Sequence, residues 1–226
     1  MKKLFTCVIF MLGGLFLIGM PSNANAELLG TKNTSPSFQV NSDNLLDLTK
    51  SFSTTMKKNA AYMSQYALSE KQLTNTYPLA TGVEFASKVK SGGPWDYKRT
   101  YRGKYKYNGL NLTGEDLGNM HYGFVGRGAF FSRTLLSSVA GAYQIYSGTS
   151  HAKYYASYFD DPNDQKWINY GMNLWDNASL PSLMHSDEFI NYSLLDLLTA
   201  EEKIEIREKV LRDSKNIAEQ QNQELK

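Results

Sequence analysis

One cysteine, three histidines and six prolines are all that the 226 residues hold of those types. The cysteine, Cys7, lies in an apolar N-terminal run, so the chain beyond that run can form no disulfide and offers no cysteine nucleophile. Cysteine peptidases and amidases are thereby excluded. The histidines, His121, His151 and His185, show neither an HExxH motif nor a paired spacing, so no metal site and no cofactor are expected. An excess of charge of one sign is lacking too. Once Lys2 and Lys3 are set aside with the N-terminal run, basic and acidic residues balance at 22 each, which argues against long-range attraction to nucleic acid.

Residues 1–26 read as a secretory signal. Lys2 and Lys3 form its charged start, Leu4 to Met20 its apolar run, and Ala24-Asn25-Ala26 its small-residue cleavage site. The expected product is secreted, with no stable membrane anchor after cleavage. An uncleaved N-terminal anchor is the competing reading, because the run nears the length that spans a bilayer. Cys7 sits inside the run rather than after it, which excludes a lipoprotein cysteine.

What remains, about 200 residues, suffices for one globular domain with a helical extension. Glu27 to Asn41 is a polar leader rich in Ser, Thr and Asn. Leu45, Leu48, Phe52, Met56, Tyr62, Met63 and Tyr66 predict a helix over Asn44 to Leu68, whole or broken near Lys57-Lys58. Thr81 to Val89 reads as a short helix with Thr81 and Glu84 as its capping box and Val83, Phe85 and Val89 inward. Phe124 to Tyr146 reads as the core helix, kinked at Gly126 and Gly128. Arg127 and Arg133 there need partners, because an unpaired buried guanidinium is costly. Pro162 to Asn177 is an amphipathic helix with Trp167, Ile168, Met172 and Trp175 as its stripe. Thr199 to Lys226 is a long charged helix opened by a Thr199–Glu202 capping box, with Ile204, Val210, Leu211 and Ile217 inward and its last turns, from Gln220, frayed. The expected fold is mainly α with a small β-rich excursion between Trp95 and Tyr107, an α+β class. The chain divides into a signal (1–26), a leader with an N-terminal helix (27–80), a central domain (81–177) and a C-terminal helical extension (178–226).

Chemistry is densest in two stretches, Gly92-Gly93-Pro94-Trp95-Asp96-Tyr97-Lys98 and Gly114 to Gly123. Gly-Gly-Pro makes a sharp break, with Trp95 anchoring it in the core. Asp96 and Lys98, two apart, share a face if the chain is extended, and either share a ligand or form a surface ion pair. Thr113 and Asp116 predict a capping box, and on the helix that follows Glu115, Asn119 and Tyr122 lie at i, i+4 and i+7. Arg127, beyond an expected break at Gly123, either folds over the Glu115 and Asn119 face or makes a structural salt bridge. Lys88, Lys90, Lys98, Arg99, Arg102, Lys104 and Lys106 alternate with Tyr97, Tyr101, Tyr105 and Tyr107. That pattern reads as a polymer-binding stripe or as a solvated edge strand. Asp160, Asp161, Asn163 and Asp164 invite a calcium reading, but Asp161-Pro162 is better read as a helix cap followed by acids on the positive helix end.

Four blocks taken in order carry a family resemblance. GPWDYK, the Gly-Glu-x-x-Gly-Asn-x-x-Tyr-Gly block from Gly114, Ala140-Gly141-Ala142-Tyr143-Gln144, and Asp-Asp-Pro-x-Asp from Asp160 resemble the bacterial polymorphic toxin type 44 family, over Thr81 to Asp176. The resemblance implies a toxin domain of the kind bacteria deliver into competitors, with an immunity protein as a possible partner and RNA as the family's proposed substrate. RNA cleavage would take Glu115 or His121 as base and acid, Lys98 or Arg127 as the cation, and Asn119 and Tyr122 to orient the substrate. Two further readings stand beside it. One is a secreted peptidoglycan glycan hydrolase using Asp96 with Glu115 or Asp116, with Trp95 and tyrosines as sugar platforms. The other is a non-enzymatic interaction module.

Overall fold

The computed structural model describes residues 45–138, 161–181 and 194–224. The expected signal, the polar leader, the Ala140–Gln144 block, Asp160 and the far part of the expected core helix lie outside the described residues. Among the described residues the architecture is mainly helical with one two-stranded antiparallel sheet, an α+β fold.

Helix α1, Thr49–Leu73, runs unbroken through Lys57-Lys58. Phe52, Met56, Ala60, Met63 and Ala67 recur at helical spacing and are all buried, so packing along one face carries the helix past its polar residues. Its last turn holds Glu70, wholly buried, which reaches out of its own helix. Its carboxylate accepts hydrogen bonds from the backbone N–H of Ala80 (2.9 Å) and Thr81 (2.8 Å) and from the Thr81 hydroxyl (2.6 Å). These donors belong to helix α2, Leu79–Val89. The expected Thr81–Glu84 capping box does not form, because a carboxylate from α1 already satisfies that helix end. Glu84 instead accepts from the Tyr62 hydroxyl (2.6 Å) and pairs with Lys88 and Lys209. Val83, expected inward, is exposed, while Phe85 is buried.

Residues Tyr97–Thr100 form a single helical turn, α3. The β excursion therefore sits later than expected, as strands β1 (Lys104–Tyr107) and β2 (Leu110–Thr113). They pair antiparallel with Lys104 opposite Thr113 and Tyr107 opposite Leu110. The turn is Asn108-Gly109, both at positive φ (51° and 75°), as the tightest hairpins require. Phe52 is ringed by Tyr97, Tyr101 and Tyr107, with centroids 5.0, 5.8 and 6.2 Å away. Tyr97 and Tyr107 are buried in the core and offer no face for stacking bases, while Tyr101 is half-buried.

Helix α4, Gly114–Gly128, opens with the Thr113–Asp116 capping box. It packs along helix α5, Pro162–Asp176, whose start is capped by Asp161 through the backbone N–H of Asn163 (2.8 Å). The two helices touch backbone to backbone. A Cβ on Gly123 would fall 2.1 Å from the Ile168 carbonyl oxygen, and one on Gly171 would fall 1.9 Å from that of Met120. Gly123 is thus a contact point inside the helix, not a break. The expected kinked helix from Phe124 to Tyr146 is also corrected: α4 ends at Gly128, and residues 133–138 form a separate helical stretch. The stop is a Schellman-type closure, with Phe130 at φ 64° donating to the Arg127 carbonyl and Phe131 donating to that of Gly126.

Helix α6, Ala200–Glu224, has both bonds of the Thr199–Glu202 capping box. Ile206 and Val210 are its buried residues against Tyr66 and Ala80, whereas Ile204 and Leu211, expected inward, are exposed. Among the described residues no helix is long and apolar enough to cross a membrane.

Candidate functional site

The Gly92–Lys98 stretch folds back on the end of α2. Gly92 adopts φ 76°, and a Cβ on Gly93 would lie 2.4 Å from the Lys88 carbonyl oxygen, so the chain passes there only as glycine. Trp95 packs edge-on to Tyr62 and His121, anchoring the turn as expected. Asp96 does not pair with Lys98. It accepts from the backbone N–H of Gly92 (2.7 Å) and pairs with Arg99 (3.1 Å), because α3 replaces the extended geometry that would have aligned residues 96 and 98.

Lys98 is turned instead toward α4, where its ammonium donates to Glu115. Gly114 makes that meeting possible: a Cβ there would stand 2.1 Å from the Tyr101 carbonyl oxygen and 2.8 Å from that of Tyr97. The start of α4 rests directly on the α3 turn, and the next residue, Glu115, meets Lys98. The hydrogen bond to Glu115 holds the Lys98 ammonium above the ordinary lysine range. Desolvation opposes this, and the charges of Glu115, Asp164 and Asp96 add to it. Three carboxylates therefore act on one ammonium. Asp164 is itself held by the Asn119 amide (2.6 Å), and Asn163 donates to Asp116 (3.1 Å), so the first turns of α4 and α5 stand side by side. Asp116 is otherwise occupied by its capping bonds with Thr113.

Beside the pair lies an open groove of about 440 Å³, lined by Lys98, Tyr101, Arg102, Lys104, Thr113 and Glu115 together with Gly103 and Gly114. Three cations and one carboxylate border it, with both members of the pair well exposed. In the sequence Arg102 and Lys104 belong to the basic stripe, and Asp164 to the acidic cluster at a helix start. Asp164 is brought near them by the α4–α5 contact, which the sequence does not display.

The remaining expected residues lie elsewhere. His121 is fully buried, with Nε2 2.9 Å from the Asn59 amide nitrogen and its ring 4.8 Å from that of Tyr97. Burial pushes its pKa down to about 3. It is neutral at pH 7 and enclosed, so it does not serve as the acid or base for a polymer at the surface. The Tyr122 hydroxyl donates to the Leu136 carbonyl (3.0 Å). Arg127 donates to Asp176 (2.8 Å) and to the Phe131 carbonyl, and Arg133 shares Asp176 (2.7 Å). Of the two readings of Arg127, the structural salt bridge is the one that forms. Twelve residues of helix separate it from Glu115, about 18 Å along the axis. Lys98, Glu115, Asp96 and Asn119 are therefore brought to one neighbourhood, and His121, Tyr122 and Arg127 are not.

The frame is a small α+β domain whose glycines seat a charged pair beside an open groove. Residues 84–177 match the family model described as bacterial toxin 44. The match supports a bacterial toxin-like domain over this segment, which is less than half of the chain. No curated protein and no solved structure matches the chain.

Proposed function

We propose that the toxin 44 domain is a hydrolase that cleaves RNA in the groove beside Lys98 and Glu115, in a protein exported through its N-terminal signal and restrained by an immunity protein. The observation that carries this reading is the composition of the groove: one exposed carboxylate, Glu115, bordered by the cations Lys98, Arg102 and Lys104. A phosphodiester entering the groove draws Lys98 from Glu115 and so frees the carboxylate. Glu115 then takes the proton of the ribose 2′-hydroxyl, and the 2′-oxygen attacks phosphorus. Arg102 and Lys104 hold the charge that grows on the phosphoryl oxygens. The 5′-oxygen leaves with a proton from the Lys98 ammonium, and a 2′,3′-cyclic phosphate remains. Asn119 acts at one remove, by fixing Asp164 near Lys98.

A second reading draws on a specific observation, the carboxylates Glu115, Asp164 and Asp96 gathered around Lys98. Such a set suits glycan cleavage, which needs two carboxyl groups flanking the bond, and export suits a peptidoglycan substrate. Purified protein and its Glu115→Gln variant, incubated separately with total RNA and with peptidoglycan, decide between them. RNA fragments ending in cyclic phosphate, lost in the variant, support the first reading. Release of muropeptides, lost in the variant, moves the domain to the wall. Two inert substrates leave a non-enzymatic interaction module.

A further inference from the structure

Helix α1 lies outside the segment that matches the toxin 44 family, yet one of its polar side chains reaches beneath the site. Asn59 falls among Met56, Ala60 and Met63, positions that otherwise bury apolar groups. Its amide nitrogen donates to the Tyr97 hydroxyl (3.0 Å) and sits 2.9 Å from His121 Nε2. An amide NH₂ has two hydrogens, and here each has an acceptor. His121 Nε2 must then be the unprotonated nitrogen, with the ring hydrogen on Nδ1, an atom without a hydrogen-bond partner among the described residues. Among the described residues no other hydrogen bond orients the imidazole. The burial that keeps this ring neutral agrees with its acceptor role.

The other end of the network is Tyr97. Its ring packs against Phe52, Tyr101 and His121, and its backbone opens α3, where the next residue is Lys98. The Tyr97 backbone carbonyl itself lies against Gly114, where an added Cβ would stand 2.8 Å from it, so the seating of Tyr97 and that of the α3 turn on α4 share one residue.

We propose that Asn59 is a positioning residue for the groove: by bridging Tyr97 and His121 it fixes the α3 turn against α4 and so sets Lys98 on Glu115. The proposal rests on the reading of that pair as the reactive one, but its geometric part is testable without any activity. A family domain would in this chain depend on a side chain supplied from outside the matched segment.

The test follows the Lys98 side chain by carbon-detected NMR titration in the full chain. It compares wild type with Asn59→Leu, which removes both donors at similar volume, and with Tyr97→Phe, which removes one bond. Ser64→Ala serves as the control, since it breaks a different α1–α4 bond, from Ser64 to the Gly128 carbonyl. Loss of positioning lowers the Lys98 titration midpoint toward that of an ordinary lysine in Asn59→Leu and, by less, in Tyr97→Phe, while Ser64→Ala leaves it unchanged. Should Asn59→Leu fail to fold, Tyr97→Phe against Ser64→Ala decides. A Lys98 midpoint equal to wild type in every folded variant, despite lowered melting temperatures, overturns the proposal and leaves Asn59 a packing residue. If wild type cleaves RNA, kcat falls about tenfold in Asn59→Leu with KM little changed. An inert wild type sinks the RNA reading alone, and the titration still decides the role of Asn59.

Discussion

Gly114 and Tyr101 stand closer than any side chain would permit, since a Cβ on Gly114 would lie 2.1 Å from the Tyr101 carbonyl oxygen. The obstacle is backbone on both sides, so no rotamer change relieves it. Gly114→Ala must push α4 away from α3, and with it Glu115 away from Lys98. We expect a loss of about 1–3 kcal/mol in urea unfolding, as overpacking typically costs, and loss of the RNA cleavage proposed for the groove beyond what the stability change explains. A variant as stable and as active as wild type would show that the close approach is incidental.

Glu70 is wholly buried and accepts from Ala80 N, Thr81 N, the Thr81 hydroxyl and the Thr76 hydroxyl. Removing it leaves the first N–H groups of α2 with no partner in a site closed to water. Glu70→Ala is expected to cost about 3 kcal/mol, the scale of losing hydrogen bonds to a buried charged group. Thr81→Val removes one donor and leaves the backbone bonds, so it should cost about 1 kcal/mol. Equal losses for the two variants in chemical denaturation would contradict the capping role of Glu70.

The enclosure of His121 has a pH signature. Its pKa is about 3 in the folded protein and about 6.5 in an unfolded chain. Between those values the unfolded state takes up a proton that the folded state refuses. Stability is therefore full above about pH 6.5 and declines as pH falls toward 3, by about 1.4 kcal/mol per pH unit. From pH 7 to 5 the loss is about 2 kcal/mol. His121→Gln keeps a hydrogen-bond acceptor for Asn59 and has no titration, so its stability should stay nearly flat over that interval. A wild-type profile as flat as the variant's would mean that the ring is hydrated or paired.

Where the sequence states its own local physics, it was readable. Thr113–Asp116, Asp161-Pro162 and Thr199–Glu202 each predicted a helix start that the structure shows, because a cap is made by residues three or fewer apart. The stripe of Phe52, Met56 and Met63 was legible for the same reason. Where a partner comes from far along the chain, the reading failed. Thr81 and Glu84 have the capping-box pattern, but Glu70 and Lys209 reach them first. The end of α4 is closed by Phe130 at positive φ, where a glycine would have announced the stop. Glu115 and Lys98 were both candidates, and their pairing depends on a glycine contact that only the fold reveals. Asn59 carries only a faint signal in the sequence, an amide on an apolar helix face.

The toxin 44 segment, residues 84–177, should not fold alone. Its buried Leu117, Met120 and Phe124 belong to one core with Phe52, Met56 and Met63 of α1. Each of these α1 side chains contributes about 1.5–3 kcal/mol by burial, and together they match a large part of the roughly 5–15 kcal/mol by which a domain is stable. The hairpin also loses its tie to the chain before α1, where the Leu48 N–H donates to the Lys106 carbonyl (2.8 Å). Glu84, at the first position of the segment, would be stripped of Tyr62 and Lys209. A fragment of residues 84–177 is expected to show no cooperative melting by circular dichroism, whereas residues 45–226 melt in a single transition. A fragment of residues 45–199 lacks Ile206, Val210 and the Lys209 contact to Glu84, so it should fold with a lowered melting temperature. Cooperative melting of residues 84–177 would show instead that α1 is an accessory to a self-sufficient domain, and Asn59 would then lose its claim on the site.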